Sequence, residues 1–344
     1  VNARIIARLR TAVGIAGALA LALVAGSPAR SAESPATKVT FLQPLVCICG
    51  APYYVAQKLG YFKDEGLDVD IVTIQGTPAM FAAMQAGSGQ FAITNGPSLL
   101  TAIPKGIKLV AIAGLEHGLS DFNMVVSPAY ARRHGISANE DYKSVLRKLA
   151  GARIGVLGTT STGGLVLAGL RNEVGLPDDA FTMIAMKPAA SVAALAHGQI
   201  DAWWQTSPAL EGVVAFRSSQ VPSMSAVAGD VVFTTQDYVA KNAAVIARMA
   251  RAIARADNAI VDPKIQERAL EAVYERIPEL PHDVIKAEML KPGVPVVNGA
   301  LTDKEWTLTN AFDAKIGLLQ KPLSPAQLSA AYTTKFVPKT TVRP

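Results

Sequence analysis

The sequence predicts an α/β protein: two parallel-sheet α/β domains around a ligand cleft, with a helical C-terminal part. Three observations predict it. Strand and helix patterns alternate from Val39 onward, which favours mostly parallel sheets covered by helices on both faces. A motif repeats: Ala82-Ala83-Met84-x-x-Gly87 recurs as Ala193-Ala194-Leu195-x-x-Gly198, and Asn95-Gly96-Pro97 recurs at the same offset as Thr206-Ser207-Pro208. The 344 residues are 50% apolar and 17% charged, which is enough for two hydrophobic cores and unlike a disordered chain.

The chain starts with a separate kind of segment. Arg4, Arg8 and Arg10 precede an uncharged Ala/Leu/Val-rich run from about Thr11 to Gly26, which exits through Ser27 and Pro28. A basic region, a short apolar region and a small-residue exit make a secretory signal peptide. The run is shorter than the ~20 apolar residues a spanning helix needs. Residues 1–29 are therefore read as a signal peptide, cut after Ala29 or alternatively after Ala32, and the protein as periplasmic. The net charge of +6 draws much of its excess from those three arginines. Nothing basic clusters in the remainder, so nucleic acid is not an expected partner.

After a polar linker come a strand at Val39–Leu42, a helix opened by Pro52, and a strand at Val69–Ile74. Thr77-Pro78 caps a helix that stops near Gly87. A strand at Phe91–Thr94, a helix from Pro97 to Gly106 and a strand at Leu109–Ala113 complete the first unit. The second unit opens with Asn123–Val126. The capping box Ser137-Ala138-Asn139-Glu140 predicts a helix ending near Gly151. Strands are expected at Arg153–Leu157, Phe181–Met186 and Ile200–Trp204, with helices after the Gly158–Thr162 loop, over Ala189–Ala196 and from Pro208. From Asp237 on the pattern is helical: Asn242–Ala259, Pro263–Glu275, Pro281–Leu290 and Asp303–Leu319. This assigns 38–124 and 236–344 to domain I, and 125–235 to domain II.

In such sheets ligands bind beyond the carboxyl ends of the strands. The loops there make Gln43, Tyr54, Gly76, Thr77, Asn95, Gly96 and His117 the candidates of the first domain. Thr159, Thr160, Ser161, Thr162, Lys187, Trp204 and Gln205 are those of the second. The four hydroxyls between Gly158 and Gly163 enter a helix N-terminus, where free N–H groups suit polar or anionic groups. They suit plain capping equally well. Strand alternation sends Trp203 and Trp204 to opposite faces, so one of them at most meets the cleft. Cys47 and Cys49 read as two buried free thiols, because i and i+2 in extended chain lie too far apart to bridge. No nucleophile elbow, metal motif or dinucleotide fingerprint occurs, so no catalytic residue, metal or cofactor is expected.

One long run is distinctive. From Pro52-Tyr53-Tyr54 it continues through Lys58-Leu59-Gly60-Tyr61-Phe62-Lys63-Asp64-Glu65-Gly66-Leu67 to Val69. With Met84-Gln85-Ala86-Gly87, Thr94-Asn95-Gly96-Pro97-Ser98 and Gly198-Gln199-Ile200-Asp201-Ala202, it resembles the nitrate/sulfonate/taurine substrate-binding family of ABC importers. That family includes the periplasmic binder of a thiamine pyrimidine precursor. The resemblance covers about residues 39–235. It implies a type II periplasmic-binding-protein fold and a monomeric, non-enzymatic protein that brings a small acidic or heteroaromatic molecule to permease and ATPase subunits. Two other functions go with the fold: an enzyme related to thiamine-pyrimidine synthesis, and a ligand-sensing partner of a membrane receptor. The chain departs from the family at Gly89-Gln90 and at Cys47-Ile48-Cys49. No arginine stands in an expected cleft loop, which counts against nitrate and simple sulfonates.

Overall fold

The computed structural model describes residues 35–119, 122–205, 212–291 and 293–344. The expected signal peptide, the Thr206-Ser207-Pro208 repeat and the helix expected from Pro208 lie outside the described residues. Ala36–Pro344 form one compact unit. No described helix is long and apolar enough to cross a membrane.

In chain order the strands are β1 (Thr37–Gln43), β2 (Leu67–Thr73), β3 (Phe91–Asn95), β4 (Leu109–Gly114), β5 (Asn123–Val126), β6 (Arg153–Val156), β7 (Thr182–Ala185), β8 (Ala202–Gln205), β9 (Val213–Arg217) and β10 (Asp230–Thr235). They form two mixed sheets, ordered β2-β1-β3-β10-β4 and β7-β6-β8-β5-β9. The sheets share one plan. Each has three parallel strands, then a strand that arrives from the other lobe and runs antiparallel, then a last strand paired to it. β5 is the incoming strand of the second sheet and β10 that of the first. The repeat read from sequence has this structural content: the helix Thr77–Gln85 leads into β3 as the helix Pro188–Ala196 leads into β8.

The two incoming strands move the domain limits. β5 begins at Asn123 and lies in the second sheet, while β10 lies wholly in the first. A limit at 124/125 cuts through β5, and one at 235/236 leaves β10 with the second lobe although it pairs in the first sheet. A crossing strand belongs to the sheet it pairs with, and that pairing is not visible in local sequence.

Burial follows from place. β3 and β4 are buried at every position, as apolar strands covered on both faces must be. β2 lies at an edge and alternates, with Asp68 and Asp70 exposed, which discourages pairing with another chain. One face of the first sheet is covered by the helices Ala51–Lys58, Ala243–Val261 and Gln266–Tyr274, around Phe41, Tyr53, Ile253 and Leu270. The other face packs Met80, Leu99 and Trp306. The second sheet has its main core around Trp204, Phe216 and Leu167, and a smaller one around Trp203 and Leu195.

Two local expectations change. The helix Pro128–His134, capped by Ser127, went unread. The helix expected from Ser137 starts at Tyr142, because Asp141 takes the cap and accepts the Ser144 N–H at 2.9 Å. Glu140 accepts from the Ser137 N–H at 3.1 Å and from Lys148 Nζ at 2.5 Å. The Lys148 hydrogen bond, helped by Ser144, brings its carboxyl down to about 2.

The helix Asp303–Lys315 is seated in both lobes. Trp306 packs in the first lobe's core, while Phe312 and the following Ile316 pack in the second's. Thr309 Oγ1 accepts the Ala228 N–H at 2.8 Å, and Lys315 reaches Glu173 of the second lobe at 3.3 Å.

Candidate ligand cleft

Between the lobes lies a cleft with an inner and an outer part. The first lobe supplies the inner part with Pro44, Leu45 and Cys49 after β1, Gly76 and Thr77 after β2, Ile93, Thr94 and Asn95 of β3, and Asp230 of β10. The second lobe supplies Leu119, Phe122, Leu157, Ser161, Thr162 and Gly163. The space they enclose, open solvent included, is about 660 Å³. The outer part has Gln75, Gly76 and Pro78 on one side, and Thr160, Met186 and Lys187 on the other.

Helix starts of both lobes meet here. Asn95 caps the helix Gly96–Ala102 by accepting the Ser98 N–H at 3.1 Å. Ser161 caps the helix Thr162–Glu173; its hydroxyl donates to Gly158 O at 2.6 Å and accepts the Gly164 N–H at 3.5 Å. Ser98 Oγ of the first helix hydrogen-bonds Thr162 Oγ1 of the second, so the lobes touch through two hydroxyls. Trp204 backs this wall. Its indole N–H donates to Gly163 O at 2.9 Å, and its ring stacks on Phe122 with centroids 5.4 Å apart.

Asp230 is the charged group of the inner cleft. Burial pushes its carboxyl up to about 7. Among the described residues no lysine or arginine lines this part.

A family model described as NMT1/THI5 like matches residues 50–264, more than half of the chain. The chain belongs to the NMT1/THI5-like family. No curated protein matches its sequence significantly. Solved structures share its fold: a protein from Bordetella bronchiseptica RB50 is 22% identical with a TM-score of 0.71, covering 89% of this chain and 96% of that one. The alkanesulfonate-binding protein SsuA from Xanthomonas axonopodis pv. citri, bound to MOPS, is 16% identical with a TM-score of 0.66, covering 88% and 99%. The periplasmic nitrate-binding protein NrtA from Synechocystis PCC 6803 is 14% identical with a TM-score of 0.66, covering 88% and 87%. The desulfurization enzyme DSZB has the fold as well, at 16% identity and a TM-score of 0.54, covering 88% and 97%. At these identities the likeness is one of fold. It agrees with the two-domain periplasmic-binding architecture expected from the sequence.

Of the candidate residues in this NMT1/THI5-like chain, Gly76, Thr77, Asn95, Ser161 and Thr162 line the inner cleft. Gly76 has φ +90, which reserves the site for glycine. Thr160 and Lys187 are exposed in the outer part. Thr159 is exposed and lines neither part. Gly96 spends its N–H on Gly229 O at 3.0 Å and Ala228 O at 3.3 Å. A Cβ on Gly96 would come within 2.7 Å of Ala228, so the glycine serves close backbone approach. Gln43 and Tyr54 are core groups: Tyr53 and Tyr54 donate to Gln43 Oε1 at 2.9 and 2.8 Å, and Gln43 Nε2 donates to Thr73 at 2.9 Å. His117 Nδ1 lies 2.5 Å from Glu305 Oε1, outside both parts of the cleft. Burial pushes the Glu305 carboxyl up, but hydrogen bonds from His117 and Thr302 outweigh it and hold the carboxyl below its usual range. Trp203 and Trp204 are both buried, on opposite faces of the sheet. Gln205 ends β8, and its side chain lies outside the described residues.

The free-thiol expectation for Cys47 and Cys49 is corrected: they form a disulfide with a Cα–Cα distance of 5.2 Å. The premise of an extended loop was at fault, since Ile48–Gly50 is a 3-10 turn and Cys47 precedes it with extended backbone. Thiol titration of the denatured, unreduced protein should find no free thiol, and reduction should expose both. Two thiols before reduction would overturn the bridge. Asp230 was missed altogether. Its one local signal is an acid between Gly229 and the apolar run Val231-Val232-Phe233.

Proposed function

We propose that this protein is a periplasmic solute-binding protein that closes on a small organic molecule and delivers it to the permease and ATPase subunits of an ABC importer. The observation that carries this reading is the cleft: two lobes, each with its own sheet, are joined by the crossings into β5 and β10, and both contribute polar groups to one cavity. Hinged closure around a ligand needs that arrangement. The sulfonate- and nitrate-binding proteins that share the fold support it, and the Arg4–Ala29 pattern supports export. An acidic group on the ligand would find its cation at Lys187 in the outer part. A heteroaromatic body would lie along Leu119, Phe122 and Leu157.

The enzyme reading has one observation behind it, the fold shared with a desulfurization enzyme. Against it, the Cys47 and Cys49 sulfurs are bridged and His117 lines neither part of the cleft, so neither offers a nucleophile or base there.

Native mass spectrometry of protein taken from the periplasm, followed by small-angle scattering with and without the molecule it carries, tests the proposal. The expected results are an N-terminus between about Arg30 and Thr37, one bound small molecule, and a more compact particle when it is bound. An unprocessed cytosolic protein would sink the export part. Turnover of the bound molecule would favour the enzyme.

A further inference from the structure

We propose that Asp230 selects the ligand, and that the inner cleft takes a compact planar cation with paired parallel N–H donors, an amidinium or a guanidinium. This rests on the cleft being the ligand site.

The placement of Asp230 is built into the fold. It opens β10 and sits opposite Asn95 in the antiparallel register, at the carboxyl end of β3. Its carbonyl oxygen accepts the Leu115 N–H at 2.8 Å and the Glu116 N–H at 3.3 Å, so its backbone is held from the neighbouring strand as well. The carboxylate faces a cavity walled by Leu45, Ile93, Leu119, Phe122 and Leu157.

Glu65 is answered by Arg251, whereas Asp257, Asp313 and Asp230 have no cation beside them among the described residues; of these three, Asp230 lines the inner cleft. The Asp230 carboxylate has no hydrogen bond or ion pair among the described residues. An ionised carboxylate among apolar walls is costly until donors reach it. A ligand with two parallel N–H groups supplies them, and bidentate charge-assisted bonds are the strongest available to a carboxylate. An anionic ligand in the same place would add like-charge repulsion. The flat apolar walls, with Phe122 stiffened by Trp204, suit a planar body. The hydroxyls of Thr77, Thr94 and Thr162 remain nearby for further polar groups.

Among the described residues few ionisable groups lie around Asp230. From the helix Ala51–Lys58, Tyr53 feels its field; burial and Tyr54 hold that hydroxyl far above its usual value, and Arg276 acts on the same tyrosine. From the loop after β4 come Glu116 and His117, the latter bridged through its backbone to Ala228 and paired with Glu305. All of these persist when Asp230 alone is changed.

Benzamidine and benzoate have one shape and opposite charge, and acetamidine is a smaller cation with the same paired N–H groups. Titration calorimetry of the three against the wild-type protein, Asp230→Asn and Asp230→Ser tests the proposal, with melting curves of the empty proteins to show that each variant is folded. The wild type should bind a cationic probe at least about tenfold more tightly than benzoate. Both variants should lose about 10- to 100-fold in cation affinity. Cation affinity should rise between pH 6 and 8 in the wild type and stay level in Asp230→Asn. Equal cation affinity in wild type and variants, or a wild-type preference for benzoate, would overturn the inference. If the protein closes on some other molecule but binds neither cation, the inference fails and the solute-binding reading stands. If nothing binds, both fail.

Discussion

Trp204→Ala is expected to lower unfolding stability by about 3–5 kcal/mol and to weaken whatever binds in the inner cleft. Trp204 is fully buried, lies 5.4 Å from Phe122 and 5.5 Å from Phe216 by ring centroids, and fills the middle of the second lobe's core. Truncation removes that volume and leaves a cavity the sheet cannot close. It also takes away the donor for Gly163 O at the first turn of the helix Thr162–Glu173. Phe122 and Gly163 both line the cleft, and a Cβ on Gly163 would sit 2.9 Å from the Phe122 ring, so this wall is closely fitted. Trp204→Phe separates the two contributions. It keeps most of the ring contact and loses the hydrogen bond, for a cost of about 1–3 kcal/mol. Urea unfolding of both variants gives the numbers. A loss below about 1 kcal/mol for the alanine variant would mean that the wall does not depend on the indole.

Stability should fall as pH rises from about 4 to about 8, and Asp313→Asn should recover about 2–4 kcal/mol of it at pH 8. Burial raises the carboxyls of Asp313, Asp257 and Asp230. Neither Asp313 oxygen has a partner among the described residues. Asp257 accepts the Gly299 N–H at 3.0 Å through Oδ2, which lowers its pKa, but burial prevails. A carboxyl raised in the folded state binds its proton more tightly there than in the unfolded chain. Its stabilising effect is complete below the unfolded value near 4, and is lost as pH climbs through the folded value. For Asp230 that window runs from about 4 to about 7. Glu140 and Glu305 act in the opposite sense, since their folded values are depressed and their contribution disappears on acidification. Thermal melts between pH 4.5 and 8.5, for wild type and Asp313→Asn, should show a steeper decline in the wild type. Parallel curves would mean that Asp313 is ionised and satisfied in the native protein.

The parts of the fold legible in sequence are those set by local patterning. β5 falls on Asn123–Val126 as expected, the prolines at 52, 78 and 97 each open a helix, and the repeated Ala-Ala motif marks equivalent helix ends in the two lobes. β9 and β10 were not read. Each is a short apolar run, and its identity as a strand comes from distant partners: Met124 for Phe216, Asn95 for Asp230. The site shows the same division. Gly76, Thr77, Asn95, Ser161 and Thr162 follow from their place after strands and at helix caps. Gln43 and Tyr54 also stand near a strand end, yet a mutual hydrogen bond turns them inward. Asp230 reaches the cleft because the chain comes back from the other lobe, which no local spacing announces.

The helix Asp303–Lys315 constrains how this molecule moves. Trp306 and Phe312 are anchors in different lobes, about 9 Å apart along one rigid rod. A rod fixed at both ends permits swing and torsion but opposes straight separation, since either anchor would have to leave its socket. The lobes are thereby left to move by swing and torsion about this helix. The span across their outer edges then becomes a gauge of whether the interior is filled, legible to a surface that touches both edges and never meets the ligand.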